Sequence, residues 1–143
     1  MMLRHISLTQ KISRLEEICL KIQKLQKIVT KKKFLTDDII QKAIERYLQI
    51  AIEAAIDICD HIINDAGLRK PADYKDAILI LGEAGILSNT FAQRFSHAAG
   101  FRNVLVHDYV DIDAKKVFDH FKNDSKDIKV FIRSIVRYLQ LRL

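Results

Sequence analysis

The chain has 143 residues, 49% of them hydrophobic and 29% charged, with a formal charge of +6. This length suits one domain with a real core, and four Gly with one Pro favour long helices over disorder or a turn-rich sheet. Nothing approaches the roughly 18 apolar residues that span a bilayer or a signal peptide, and Cys19 and Cys59 suit a reducing cytosol as small buried hydrophobes, so a cytoplasmic protein without a membrane contact is expected.

The charge is unevenly spread. Residues 1–36 hold nine Lys/Arg against Glu16 and Glu17, while residues 37–143 hold fifteen against sixteen acidic residues. The excess basicity therefore belongs to the first element. Lys24, Lys27 and Lys31 step by three and four, which places them on one face, opposite the apolar seam. They are candidate RNA contacts, with a solvated lysine face as the alternative.

In chain order, Leu8, Ile12, Leu15, Ile18, Cys19, Ile22, Leu25 and Val29 recur at steps of three and four. They predict an amphipathic helix of about 24 residues, closed by the cations Lys31, Lys32 and Lys33. Thr36 reads as the N-cap of a second long helix over about 37–66. That helix is apolar over more than half its circumference, through Ile40, Ile44, Tyr47, Ala51, Ala54, Ile58 and Ile62 with Ile39, Ala43, Ile50, Cys59 and Ile63 beside them. It is either the central member of a bundle or it buries a second face in a partner. Gly67 ends it and Pro71 follows.

A short helix over about 73–84 starts at Asp73 and stops at Gly85. Ser88 caps the next, whose residues Phe91, Phe95, Ala98, Phe101 and Leu105 keep helical period through Gly100. Asp111 or Asp113 opens a further helix with Val117, Phe118 and Phe121, and Asp124-Ser125 introduces a last one with Ile128, Phe131, Ile135 and Leu139. No useful β-type alternation occurs. The expected fold is all-α, a single-domain helical bundle over 1–143 with two long antiparallel helices followed by shorter ones.

The chemistry gathers at residues 101–109, Phe-Arg-Asn-Val-Leu-Val-His-Asp-Tyr. Arg102 offers a permanently charged fork of donors suited to phosphate. His107 gives or takes a proton near neutral pH. On a helix Asn103 and His107 share a face, with Arg102 rotated about 100° from Asn103. RNA is cut without a metal by its own 2′-OH when a base and an acid flank the phosphate and a cation stabilises the oxyanion. One His performs one proton transfer at a time, so a two-fold dimer would supply the second. Competing readings are a His favoured by a helix C-terminus and a metal site at His107, Asp108, Asp111 and Asp113. The metal site lacks the further His it needs, since His5, His61, His97 and His120 form no pattern. No cofactor motif occurs.

Arg102-Asn103-x-x-x-His107-x-Tyr109 resembles the Arg-x4-His-x-Tyr motif of HEPN-domain proteins of the HepT type. The surroundings are similar too: Glu-Arg-Tyr-Leu-Gln-Ile-Ala-Ile-Glu-Ala-Ala (45–55), Glu-Ala-Gly-Ile-Leu (83–87) and the stretch 100–109. The resemblance covers about 38–120. It implies a HEPN-type bundle and a metal-independent ribonuclease toxin, with the motifs of two protomers lining one cleft of a homodimer. It also implies an antitoxin, a minimal nucleotidyltransferase of the MntA type, that attaches AMP to Tyr109. In that reading Arg102, Asn103 and His107 are catalytic, no metal or other cofactor is required, and the substrate is RNA. A non-catalytic helical partner of a nucleotidyltransferase is the alternative. All three motif residues being present favours the enzyme.

Overall fold

The computed structural model describes residues 2–106 and 113–142, and every described element is a helix. In chain order these are α1 (Met2–Ile28), α2 (Lys31–Thr36), α3 (Asp38–Ala66), α4 (Tyr74–Glu83), α5 (Asn89–Val106) and α6 (Ala114–Arg142). None is long and apolar enough to cross a membrane among the described residues. The all-α bundle with α1 and α3 antiparallel is the architecture that the periodicity predicts. Two boundaries differ.

The first helix ends at Ile28, and Lys31–Lys33 open a separate short helix instead of closing α1. Thr30 is its N-cap and accepts from the Lys33 N–H at 3.1 Å. Buried Val29 and Phe34 pin the corner to the core, with the Phe34 ring 5.4 Å from that of Phe118. The cap of α3 is consequently Asp37, not Thr36. Its carboxylate accepts from the Ile39 and Ile40 N–H groups, and the Ile40 bond above all holds its pKa below the usual carboxylate range. Thr36 instead donates back to the Lys32 carbonyl at 2.8 Å.

The last two expected helices are one, with no break at Asp124-Ser125. Asp124 is buried and meets the His120 Nδ1 at 3.1 Å, one turn earlier. Ser125 takes a hydrogen bond from Gln26 Nε2 at 2.8 Å, and the same nitrogen donates to the Phe121 carbonyl. Of the two residues that would cap a helix in isolation, Asp124 therefore pairs within the helix and Ser125 across the bundle, and the stripe Phe121, Ile128, Phe131, Ile135 runs on unbroken and buried.

Helix α3 is the central member of the bundle, touching each of the other five. Ile44, Leu48, Ala51, Ile52, Ala55, Ile58, Cys59 and Ile62 are buried there. One protomer thus makes α3 the central member of a bundle, while Ile39 stays exposed and Ile40, Tyr47, Ile50 and Ala54 are only partly buried. Gly67 closes α3 at φ 66°, donating to the Asn64 and Ile63 carbonyls, and Gly85 closes α4 at φ 78°. Both need the left-handed region that a Cβ disfavours.

Helices α4 and α5 form the tightest pair, because Gly82 lets them approach. A Cβ at Gly82 would stand 2.7 Å from the Cβ of Ala92. Gly82→Ala is therefore expected to destabilise the fold by about 1–3 kcal/mol through overpacking. An unchanged denaturation midpoint would show that the two helices separate freely.

Candidate functional site

Helix α5 carries the first half of the motif and starts where the sequence places it. Ser88 Oγ accepts from the Phe91 N–H at 3.2 Å. The helix then runs through Gly100 to Val106. Gly100 has a packing reason: its missing Cβ leaves room for the stem of Lys75, whose Cδ would lie 3.2 Å from it. On the inner face, Ala98, Ala99, Phe101 and Leu105 are buried. Phe101 stacks on His120 with ring centroids 3.9 Å apart and planes 12° from parallel. These contacts fix the rotation of α5 and so decide where its other faces point.

Arg102 lies at the edge of this buried face. Its Nε–H donates to Glu53 Oε1 of α3 at 3.2 Å, and Gln49 Nε2 donates to the same oxygen at 3.0 Å. The guanidinium carbon sits 4.6 Å from the centre of the Tyr74 ring, at the first turn of α4. A cation over an aromatic face is held by the ring quadrupole. The side chain is 22% exposed. Two of its surfaces are thus taken, while its two Nη groups have no partner among the described residues. The free side of the fork is the side that pairs with two oxygens of a phosphate.

Tyr74 is itself held in place. Arg69, in the α3–α4 connection, grips both oxygens of Asp76 at 2.8 Å and Glu83 at 2.8 and 3.1 Å. The Arg69 hydrogen bonds, helped by the Ala72 N–H, pull the Asp76 carboxyl down to about 2. Asp73 caps α4 through the Asp76 N–H at 2.8 Å. Asn103 is exposed and lines a cleft with Asp60, Tyr74, Lys75, Ala99 and Gly100. Tyr74 thus belongs to both surroundings, under Arg102 and beside Asn103.

Of the residues singled out from the sequence, Arg102 and Asn103 are placed next to one another around Tyr74. His107 and Tyr109 lie outside the described residues. Asp113, one of the acids weighed for a metal, is occupied as a cap, accepting from the Lys115 N–H at 3.0 Å; the others in that group, His107, Asp108 and Asp111, lie outside the described residues. Lys24, Lys27 and Lys31 are exposed, but they do not share one helix, since Lys31 opens α2. Glu53 and Tyr74 had not been singled out for the site. Glu53 lies in the stretch 45–55, four residues after Gln49, and nothing local points to Tyr74.

The chain belongs to the HepT-like ribonuclease family: the family described as "Ribonuclease HepT-like" matches residues 15–135. It is 37% identical over 95 residues to the tRNA nuclease HepT of Aphanizomenon flos-aquae, covering 66% of this chain and 65% of that protein. The chain thus spans just under two thirds of that relative's length. It is 27% identical over 99 residues to the mRNA nuclease HepT of Shewanella oneidensis, covering 69% of this chain and 74% of that protein. Among solved structures, it superposes with a TM-score of 0.82 and 25% identity on a chain of the tri-AMPylated Shewanella oneidensis HEPN toxin in complex with MNT antitoxin, covering 91% of this chain and 96% of that one. The family that the motif at 102–109 implies is therefore the one to which the chain belongs.

Proposed function

We propose that this protein is the toxin of a toxin–antitoxin pair, a metal-independent endoribonuclease that cuts cellular RNA as a homodimer. The observation that carries the reading is the anchoring of Arg102. Glu53 and Tyr74 fix its inner edge and one face, which leaves the fork aimed outward without a described partner. Arg102 neutralises the scissile phosphate, and His107 transfers protons at the 2′-OH or the leaving 5′-oxygen. Asn103 orients the substrate or the imidazole. The names of the two relatives, a tRNA nuclease and an mRNA nuclease, support RNA as substrate.

The partner is a small nucleotidyltransferase that transfers AMP to Tyr109. Support comes from the HEPN toxin of Shewanella oneidensis, described as tri-AMPylated and in complex with its MNT antitoxin. A bulky anion beside Arg102 and His107 would occupy the phosphate site and block RNA. The deciding experiment incubates the purified chain with RNA in EDTA and determines the product ends. Because the nucleophile is internal to the RNA, 2′,3′-cyclic phosphate and 5′-OH ends are expected. Cleavage that requires a metal and leaves 5′-phosphates would overturn the mechanism.

The dimer is expected from the chemistry and from the apolar face of α3, where Ile39 stays exposed and Ile40 and Tyr47 are only partly buried. Two motifs across one cleft supply the base and the acid together. Light scattering at micromolar concentration should give twice the chain mass, and a monomeric mass would rule this arrangement out. A separate expectation concerns the basic N-terminal region. If Lys24, Lys27 and Lys31 contact phosphates, changing all three to Glu weakens RNA binding and lowers its salt dependence by up to about three units of slope, each contact contributing just under one. Unchanged affinity and slope would make them a solvated face.

A further inference from the structure

We propose that the groove between α1 and α3 is the track along which the backbone of single-stranded RNA reaches Arg102. The inference rests on the ribonuclease reading above and adds where the substrate lies. The groove has a volume of about 480 Å³ and is walled by Ser7, Gln10, Lys11 and Arg14 of α1 and by Arg46, Ile50, Glu53 and Asp57 of α3. Its charges are not equivalent. Lys11 is spent on Asp57 at 3.4 Å and on His61 at 3.3 Å. Glu53 is spent on Arg102 and Gln49. Arg14 and Arg46 are both exposed and have no ion-pair or hydrogen-bond partner among the described residues. Two guanidinium groups without a partner among the described residues, one from each wall, therefore line a groove whose two carboxylates each have a cationic partner.

The groove leads to the site. Glu53, which lines it, is the residue that accepts from the Arg102 Nε–H. Arg46, Ile50, Glu53 and Asp57 follow at four, seven and eleven residues, one face of α3, so Arg46 stands about 10 Å along the helix axis from Glu53. Arg14 and Arg46 line the groove together with Glu53, the partner of Arg102, so a polymer with a phosphate at every step can meet all three cations. An acidic patch on a folded protein has no such need for a continuous path ending at the motif. The lysines at 24, 27 and 31 are not among the groove's lining residues, so the two surfaces can be tested apart.

The test measures binding separately from cleavage. A fluorescent single-stranded 2′-O-methyl RNA of about 20 nucleotides lacks the internal nucleophile and stays intact, so anisotropy reports affinity alone. In the full-length protein, Arg14→Gln/Arg46→Gln is expected to raise Kd about ten- to a hundredfold and to lower the salt slope by about 1.4 units, two single-strand contacts at roughly 0.7 each. Arg14→Lys/Arg46→Lys, which keeps both charges, should retain most of the affinity. The charge-matched pair Lys126→Gln/Arg137→Gln on α6 should leave it within about threefold, and equal melting temperatures exclude misfolding. On cleavable RNA the Gln pair should raise KM with kcat little changed. Unaltered Kd and slope in the Gln pair overturn the track even if the wild-type protein cleaves RNA. Loss of binding in a protein that never cleaves RNA supports the track and overturns the ribonuclease reading instead. Unaltered RNA binding with lost capture of the nucleotidyltransferase would reassign the groove to a protein partner and overturn the proposal.

Discussion

His107→Ala is expected to lower the rate of RNA cleavage by about 10²–10⁴-fold, the usual range for the loss of a general acid or base. The loss should fall on kcat, because the imidazole moves protons as the phosphate is attacked and has no comparable part in holding the RNA. It should be accompanied by no change in the affinity for uncleavable RNA. A dimer sharpens the expectation. If each scission draws one His from either protomer, a mixed dimer with one altered chain is slowed almost as far as the doubly altered one, whereas independent sites would retain half the activity. Full activity in His107→Ala would remove the enzymatic reading and leave a helical protein that only binds a nucleotidyltransferase.

Arg102→Lys is expected to cost about 10²-fold or more in kcat/KM, on the order of losing a preorganised donor to a developing oxyanion. The charge survives this change, yet three other things are lost. Lysine has no Nε–H for Glu53, no planar face to lie on Tyr74, and no pair of parallel donors for two phosphate oxygens. The support of the guanidinium can be examined on its own. Glu53→Gln keeps an oxygen that accepts from Nε, while Glu53→Ala leaves the nitrogen without it. More activity in the Gln variant than in the Ala variant, with both folded, is the pattern of a residue that positions Arg102. Equal activity in the two would mean that Tyr74 and the helix alone orient the fork. Full activity in Arg102→Lys would mean that only a positive charge is wanted at that point.

Much of this arrangement was legible before the structure. The 3.6-residue periodicity of α1 and α5 located their inner faces, since burial of an apolar stripe depends on local order alone. On α3 the apolar width blurred the face, so that Ile39 is exposed while Leu48, Ile52 and Ile56 are buried. Asp73, Ser88, Gly67 and Gly85 marked ends correctly because capping is also local. The two errors share a cause. Lys31–Lys33 look like cations at a helix C-terminus, and Asp124-Ser125 look like an N-cap, when neighbours in sequence are the only partners considered. Phe34 inserted against Phe118, and Gln26 reaching Ser125 across 99 positions, changed both outcomes. Arg102 and Asn103 were visible through their motif. Glu53, 49 residues away, and Tyr74 could not be assigned to it from spacing, because no periodicity links three different helices.

The way Arg102 is held has a consequence for control in the cell. Its fork is oriented by contacts within one folded chain, on Glu53 and Tyr74, with Tyr74 secured in turn by the Arg69–Asp76 clamp. Under the proposed ribonuclease reading, the phosphate-binding cation is oriented before RNA arrives, and folding of the bundle alone prepares this half of the site. In that reading, restraint acts on the occupancy of the site rather than on its assembly, as a bulky anion on Tyr109 would.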